Sequence, residues 1–122
     1  MRPNETINRG DLFWLRVDSH GSSAPAHPHP HVVVQDNIFN YSRLRTVVVC
    51  ALTSNLSRAN WPGNVLLEEG EGNLAKRSVV IVSQISSVEK SQLKERIGTL
   101  SDARVAQILS GLRFQQTSFF ER

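Results

Sequence analysis

The sequence predicts a mainly β fold of the α+β class: an antiparallel sheet, closed or strongly curled, with a helix packed on it near the C-terminus. Three observations support this class. Five or six short segments rich in β-branched and aromatic residues are separated by breaks that contain Gly, Pro or Asn. In the last third of the chain the apolar spacing changes to a helical period. The length of 122 residues suits one domain, 1–122, with a single core.

The strands follow from apolar runs between turn signals, and the five placed in this way are 11–17, 31–35, 46–53, 64–67 and 78–84. Gly10 supplies the break before the first strand. The run 46–53 is apolar almost throughout, as expected of a central strand that is buried on both faces. The last two strands are separated by the turn signal Gly-Glu-Gly-Asn at 70–73.

A long connection, residues 18–30, joins the first two strands and is rich in Ser, Gly, Pro, Ala and His. Its prolines, Pro25, Pro28 and Pro30, exclude a helix or a central strand. Connections of about a dozen residues are longer than most in compact domains and often carry function. We therefore expect a functional loop here.

The last third predicts helices. Residues 90–96 suit a short helix that ends before the break at Gly98, and Ser101 is a suitable N-cap for a second helix. Apolar residues of the second helix recur at i, i+3, i+4 and i+7, namely Val105, Ile108, Leu109 and Leu112. We expect this stripe to pack on the sheet rather than to bind a partner. The core then spans 10–112, and the apolar tail 113–122 packs back on the domain or covers a neighbouring subunit.

The composition and charge of the chain limit the classes of function that it could have. The net charge of +3 is compatible with an acidic or nucleic-acid partner but is weak support for one. No apolar run approaches the roughly 20 residues of a membrane helix, and the N-terminus has no signal-like stretch. Cys50 lies inside an apolar run, which indicates a small buried hydrophobe in a reducing cytosol. We expect a cytoplasmic protein without a membrane partner, and nothing indicates a metal or a cofactor.

Several short segments, in this order along the chain, resemble the MazF/PemK family of type II toxins with the CcdB/MazF-like fold. They are GDLFW at 10–14, PHVVVQDN at 30–37, VVVCALTS at 47–54, SVVIVSQI at 78–85 and IGTL at 97–100. No single segment is specific, but the ordered set is, and the resemblance covers about residues 10–112.

The resemblance implies a curled, SH3-like antiparallel barrel with a C-terminal helix, assembled as a two-fold homodimer. It also implies the toxin of a type II toxin–antitoxin system: a metal-independent, sequence-selective endoribonuclease that cleaves single-stranded RNA, such as mRNA, through the 2′-hydroxyl. A cognate antitoxin would silence it. Two alternatives stay open, since fold alone does not fix activity. One is a non-enzymatic CcdB-like toxin that binds gyrase, and the other is an inactive relative that binds RNA or antitoxin.

The resemblance further implies a catalytic arginine directly before the proline of the second strand and a threonine at the end of the central strand. Thr53 matches the threonine, but the residue before Pro30 is His29. Histidine titrates near neutral pH and can act as base or acid. We therefore take His29 and Thr53 as the candidate catalytic residues.

All four histidines lie in or beside the long connection, and an extended chain over 27–31 turns three imidazoles roughly the same way. They could face a phosphate, be merely solvated or bind a transition metal. The candidate substrate-binding residues are His20, His27, His31, Ser54, Asn55 and Arg58. Two tryptophans could stack on bases. We expect Trp14 in the core and Trp61 exposed.

Overall fold

The computed structural model describes residues 6–16 and 27–120, with side chains up to residue 117. Six strands form one sheet in the order β4-β5-β3-β2-β1-β6, and all neighbouring strands are antiparallel. The elements are β1 Asp11–Arg16, β2 Pro28–Val33, α1 Asn37–Asn40, β3 Thr46–Thr53, β4 Val65–Leu67, β5 Ser78–Glu89, β6 Arg96–Thr99 and α2 Asp102–Phe120. The predicted mainly β class with a C-terminal helix is confirmed. Within the described ranges, no helix combines the length and apolar character needed to cross a membrane.

The centre of the sheet is buried on both faces. On one face Leu12, Val32 and Cys50 belong to a cluster that the apolar stripe of α2 completes. On the other face, alternate residues of the same strands form a second cluster with Ile7 and Leu93, which lie outside the strands; its strand members are Phe13, Leu15, Val33, Val47 and Val49. Because β3 contributes to both clusters, its apolar run lacks the alternation of a half-exposed strand. The predicted central strand and the predicted packing of α2 are confirmed.

A large bulge bends β5. Cys50 pairs with Ile85 and Leu52 pairs with Val80, so two steps along β3 (50 to 52) correspond to five along β5 (80 to 85), which leaves three extra residues. Bulges of this kind kink a strand and increase its twist. As a result, the sheet curls and leaves an open region over the end of β3.

The two edges of the curled sheet meet through a turn that follows β4. Asn73 in this turn donates from Nδ2 to the carbonyl oxygen of Ile97 on β6, at 3.1 Å. A Cβ atom on Gly98 would lie only 2.2 Å from the carbonyl oxygen of Gly72. The absence of a side chain at 98 therefore permits this approach, and the sheet forms a half-barrel.

Three local predictions need correction. Residues 90–96 form one 3₁₀ turn, Lys90–Gln92, followed by β6, because pairing with the edge of β1 outweighs local helix preference. The strand predicted at 78–84 extends to Glu89. Pro28 and Pro30 belong to β2 rather than to a loop. They pair only with β1, since the ladder to β3 begins at His31, so their missing N–H groups break no second ladder.

The N-cap and extent of α2 complete the fold. Ser101 accepts at Oγ from the backbone N–H of Arg104, which confirms the predicted cap. The helix continues through Phe120 instead of ending near residue 112, and Phe114 in this extension is 57% exposed. The short helix α1 was not predicted; it begins after Asp36, whose carboxylate accepts from the N–H of Ile38.

Candidate active site

A cleft opens where the end of β3 faces the bulge of β5, and its volume is about 410 Å³. Strands β2, β3 and β5 and the 3₁₀ turn Leu56–Asn60 contribute its walls. The lining residues are His29, His31, Ala51, Leu52, Thr53, Asn55, Arg58, Ile81, Gln84, Ile85 and Ser86. We call this the first cleft. Four other predicted site residues line this cleft together with Thr53.

A second cleft of about 510 Å³ lies on the other side of His29 and Thr53, which line both clefts. Its walls come from β1, β2, the end of β3, the segment before β5, and β6. The lining residues are Trp14, Pro28, His29, Pro30, Leu52, Thr53, Ser54, Asn73, Leu74, Ala75, Lys76, Ser78, Glu95, Arg96 and Ile97. The two candidate catalytic residues therefore lie at the boundary between two clefts.

The strand register explains why His29 and Thr53 are neighbours. His31 pairs with Ala51 in the antiparallel ladder of β2 and β3. This pair is the last of the ladder; continued by two residues on each strand, the same register would bring His29 opposite Thr53, and both residues line both clefts. Residues opposite each other project from the same face of a sheet. The Oγ1 atom of Thr53 also accepts from the N–H of Asn55 at 3.1 Å, which holds this hydroxyl at the strand end.

His31 is held more tightly than His29. Its side chain is 4% exposed, and its Nδ1 lies 2.9 Å from the carbonyl oxygen of His29. Because a carbonyl oxygen only accepts hydrogen bonds, Nδ1 carries the proton and Nε2 of the neutral ring is an acceptor. Burial lowers the pKa of His31 below its ordinary value of 6.5, so the ring is neutral at pH 7.

Arg58 is the arginine of the first cleft. Its guanidinium lies 5.0 Å from the centroid of the Trp61 ring, a cation–π contact that restricts the long side chain. Asn55 caps the turn that carries Arg58, since its side-chain oxygen accepts from the N–H of Ser57 at 3.2 Å. In the part of the chain that the structure describes, no lysine and no carboxylate lines the first cleft beside Arg58, so no described carboxylate neutralises its charge there.

The second cleft carries two cations, Lys76 and Arg96, and one acid, Glu95. Arg96 is held by an ion pair to Asp11 at 2.9 Å and lies 5.5 Å from the centroid of the Phe13 ring. No sequence pattern marked Lys76 or Arg96 as site residues, because they reach the cleft only through the curl of the sheet.

The predicted site residues divide as follows. His29, His31, Thr53, Asn55 and Arg58 meet in the first cleft, and Ser54 lines the second. His27 is exposed just before β2 and lines neither cleft, and His20 lies outside the described residues. In the described ranges no three His, Cys, Asp or Glu side chains come together as a metal site.

Both tryptophans are partly accessible, and one prediction about them fails. Trp61 is 52% exposed, as predicted. Trp14 was expected in the core but is 39% exposed, because it lies beyond the apolar cluster that contains Leu12 and lines the second cleft. Gln84 in the β5 bulge is exposed and lines the first cleft.

A half-barrel with one helix on its face and a polar, cationic site at the end of its central strand defines a small β-barrel protein with an open binding groove. A profile of the family described as "PemK-like, MazF-like toxin of type II toxin-antitoxin system" matches residues 8–115. The chain belongs to this family.

Relatives of known name agree with this assignment. The chain is 35% identical over 107 residues to "Endoribonuclease MazF6" of Mycobacterium tuberculosis, which covers 88% of this chain and 94% of the relative. The same values hold for "Endoribonuclease MazF2" of Mycobacterium bovis.

Solved structures show the same fold. The "Mycobacterium tuberculosis toxin MazF-mt6" superposes with a TM-score of 0.72 at 14% identity, covering 88% of this chain and 96% of that one. The MazE–MazF structure (Form-II) of Deinococcus radiodurans gives 0.75 at 18% identity, covering 93% and 98%. An "Endoribonuclease in complex with its cognate antitoxin from Mycobacterial species" gives 0.73 at 20% identity, covering 91% and 95%.

Proposed function

We propose that this chain is the toxin of a type II toxin–antitoxin pair and acts as an endoribonuclease on single-stranded RNA. The observation that carries the proposal is that His29 and Thr53 both line each of two neighbouring clefts, whose walls carry the cations Arg58, Lys76 and Arg96. Family membership and the endoribonuclease names of the 35% identical relatives support it and favour RNA over gyrase as the target.

Cleavage of RNA through the 2′-hydroxyl requires only a few functional groups. A base takes the proton of a 2′-hydroxyl, an acid protonates the leaving 5′-oxygen, and fixed donors stabilise the charge on phosphorus. The Thr53 hydroxyl and the Arg58 guanidinium are donors in the first cleft, and His29 is a proton-transfer group at its boundary. Arg58 supplies the permanent positive charge that the resemblance places at residue 29. All of these groups act without a metal.

The two clefts suit an unpaired strand. If the scissile phosphate lies at the boundary formed by His29 and Thr53, the nucleotides before and after it occupy opposite clefts. Arg58 on one side and Lys76 and Arg96 on the other neutralise the flanking phosphates. The accessible ring of Trp14 can stack on a base that is not paired. A duplex would hold its bases away from these walls.

The partners are a cognate antitoxin and a second copy of this chain, in the cytoplasm. Solved relatives include MazF with MazE and an endoribonuclease with its cognate antitoxin. An acidic segment laid along the boundary between the clefts would neutralise the same cations that hold RNA. A two-fold homodimer is the commonest closed assembly of such small domains.

The test is incubation of the purified protein with a long single-stranded RNA in the presence of EDTA. We expect cuts at a recurring short motif, and the upstream fragments should end in a 2′,3′-cyclic phosphate. A strand with a 2′-deoxynucleotide directly before the scissile bond should not be cut. His29→Ala and Thr53→Ala should lose most of the activity. Thr46→Ala is the matched control, because Thr46 lies at the opposite end of β3 and lines neither cleft. Intact RNA with the unaltered protein would overturn the proposal.

A further inference from the structure

We propose that His31 is the general base that removes the proton from the attacking 2′-hydroxyl, while His29 is the acid that protonates the leaving oxygen. This inference rests on the proposed RNA cleavage. It assigns opposite roles to two imidazoles of one strand, whereas the sequence alone pointed to His29 as the main catalytic histidine. Three features of His31 support these roles: its tautomer, the open face of its ring and the groups around it.

The hydrogen bond of His31 fixes its tautomer. Nδ1 lies 2.9 Å from the carbonyl oxygen of His29, and that oxygen can only accept. Nδ1 therefore keeps its proton, and the lone pair of the neutral ring is on Nε2. In proton-transfer sites a hydrogen bond at one ring nitrogen orients the other toward the substrate. The backbone of β2 thus supplies the orienting group.

The free nitrogen of His31 reaches the first cleft. Among residues 6–16 and 27–117, every fully buried side-chain nitrogen or oxygen has a hydrogen-bond partner. Among these described residues Nε2 has no hydrogen-bond partner, so it is not fully buried, and the His31 ring lines the first cleft. The ring as a whole is only 4% exposed. A substrate hydroxyl that enters the cleft can therefore reach Nε2.

The surroundings keep His31 unprotonated. Burial lowers its pKa, the hydrogen bond to the His29 carbonyl opposes this effect in part, and the charge of His29 lowers it further. Across the ladders His31 faces Phe13 on β1 and Ala51 on β3, which do not titrate. Of the described residues that line the first cleft, Arg58 is the permanently charged one, and none is a carboxylate. A neutral ring is the form that a base requires.

The proposed step balances without a cofactor. Nε2 of His31 takes the 2′-hydroxyl proton, the 2′-oxygen attacks phosphorus, and the bond from phosphorus to the 5′-oxygen breaks. That oxygen takes a proton from the His29 imidazolium, and the products are a 2′,3′-cyclic phosphate and a 5′-hydroxyl. Exchange with water then resets both rings. Two residues along a strand span roughly 6.6 Å, so both rings can reach one phosphate from the same side.

The experiment separates base from acid with a chimeric strand whose scissile 5′-oxygen is replaced by sulfur. A thiolate leaves without a proton, so this substrate bypasses the acid but still needs the base. We expect His29→Asn to be slow on normal RNA and close to the unaltered protein on the sulfur substrate. His31→Asn should be about 10²–10⁴-fold slow on both. Asparagine can keep the donor toward the carbonyl at 29 and lacks only the nitrogen that accepts the proton.

A second readout excludes a merely structural role of His31. In the unaltered protein kcat/KM should fall on the acid side of its pH profile with an apparent pKa below 6.5, and this limb should vanish in His31→Asn and His31→Gln. Binding of an uncleavable 2′-deoxy strand should stay within a few-fold. If the unaltered protein cuts RNA but His31→Asn retains its rate or recovers on the sulfur substrate, His31 is not the base and the ribonuclease proposal still stands. If the unaltered protein cuts neither substrate, both proposals fail.

Discussion

Arg96 on β6 forms an ion pair with Asp11 on β1, with Nη2 2.9 Å from an oxygen of a carboxylate that is 1% exposed. The other carboxylate oxygen accepts from the Thr99 hydroxyl at 2.7 Å, and the backbone N–H of Asn8 donates to the first at 2.9 Å. This buried carboxylate therefore joins the edge strand to the sheet and holds a cation at the rim of the second cleft.

Asp11→Ala should lower the free energy of unfolding by about 3 kcal/mol, because it leaves Arg96 and two donors without their acceptor. The loss should be somewhat smaller than for a fully buried pair, since Arg96 is 37% exposed and water can solvate it. Urea unfolding measures the change. The control is Glu68→Ala, which removes a solvent-screened pair with Arg77 and should cost less than about 1 kcal/mol. Equal losses in both variants would contradict the prediction.

Gly111→Ala should destabilise the protein although alanine favours a helix over glycine by about 1 kcal/mol. A Cβ atom at 111 would lie 2.1 Å from the carbonyl oxygen of Gly63, so α2 would have to move away from the sheet. Overpacking of this kind costs about 1–3 kcal/mol. The neighbouring exposed position supplies the control, since Ser110→Ala should leave the melting temperature unchanged or raise it. A more stable Gly111→Ala variant would show that the contact is not tight.

The sequence predicted those elements whose local pattern and tertiary environment agree. The strand at 46–53 was placed correctly because both of its faces are buried, and Ser101 and the apolar stripe of α2 defined the second helix. Strand β6 was missed because residues 96–99 show no alternation. Their extended form comes from pairing with β1 and from contact with the turn at Gly72.

The candidate site was predictable only in part. Thr53 and His29 came from the resemblance, and the β2–β3 register places them near each other. No sequence pattern shows that His31 is more buried than His29, because the difference in burial depends on the position of each residue in the curled sheet. Lys76 and Arg96 likewise reach the second cleft from segments distant in sequence.

Cys50 should be unreactive in the folded protein. Burial raises the pKa of this thiol to about 12, and its side chain has no exposed surface. The thiolate is the reacting form, so modification by a thiol reagent at pH 8 should require unfolding. The measurement is the rate of labelling with and without urea, and the unfolded chain serves as its own control. Rapid labelling of the native protein would mean that the centre of β3 opens readily.

Arg58→Ala should weaken RNA binding and slow cleavage, because it removes the arginine that lines the first cleft together with Thr53. Binding of a 2′-deoxy strand at several salt concentrations should show a slope reduced by about 0.7 per lost phosphate contact. Arg58→Lys should restore part of the slope but not the stacking on Trp61. Arg113→Ala, an exposed change on α2 outside both clefts, is the matched control. An unchanged slope in Arg58→Ala would remove Arg58 from the RNA path.

The stability of the protein should decline as the pH falls below about 6.5, because burial lowers the pKa of His31 in the folded state. In that range the unfolded chain binds a proton at this histidine and the folded chain does not, so protonation favours unfolding. The contribution of His31 to the free energy of unfolding is therefore fully present above pH 6.5 and is lost as the pH falls toward the pKa of the folded state. The free energy of unfolding changes by at most about 1.4 kcal/mol per pH unit in this range.

Urea unfolding between pH 7.5 and 5.5 tests this dependence of stability on His31, and His31→Asn should flatten the curve. This pH range lies above the pKa of Glu71, which is lowered by its hydrogen bonds to Arg104. Glu71 therefore affects the stability only at more acidic pH. An equally steep decline in His31→Asn would assign the proton to another group. A flattened curve, together with the loss of the acid limb of kcat/KM, would show that one ring sets both the stability and the activity of this protein in mildly acidic solution.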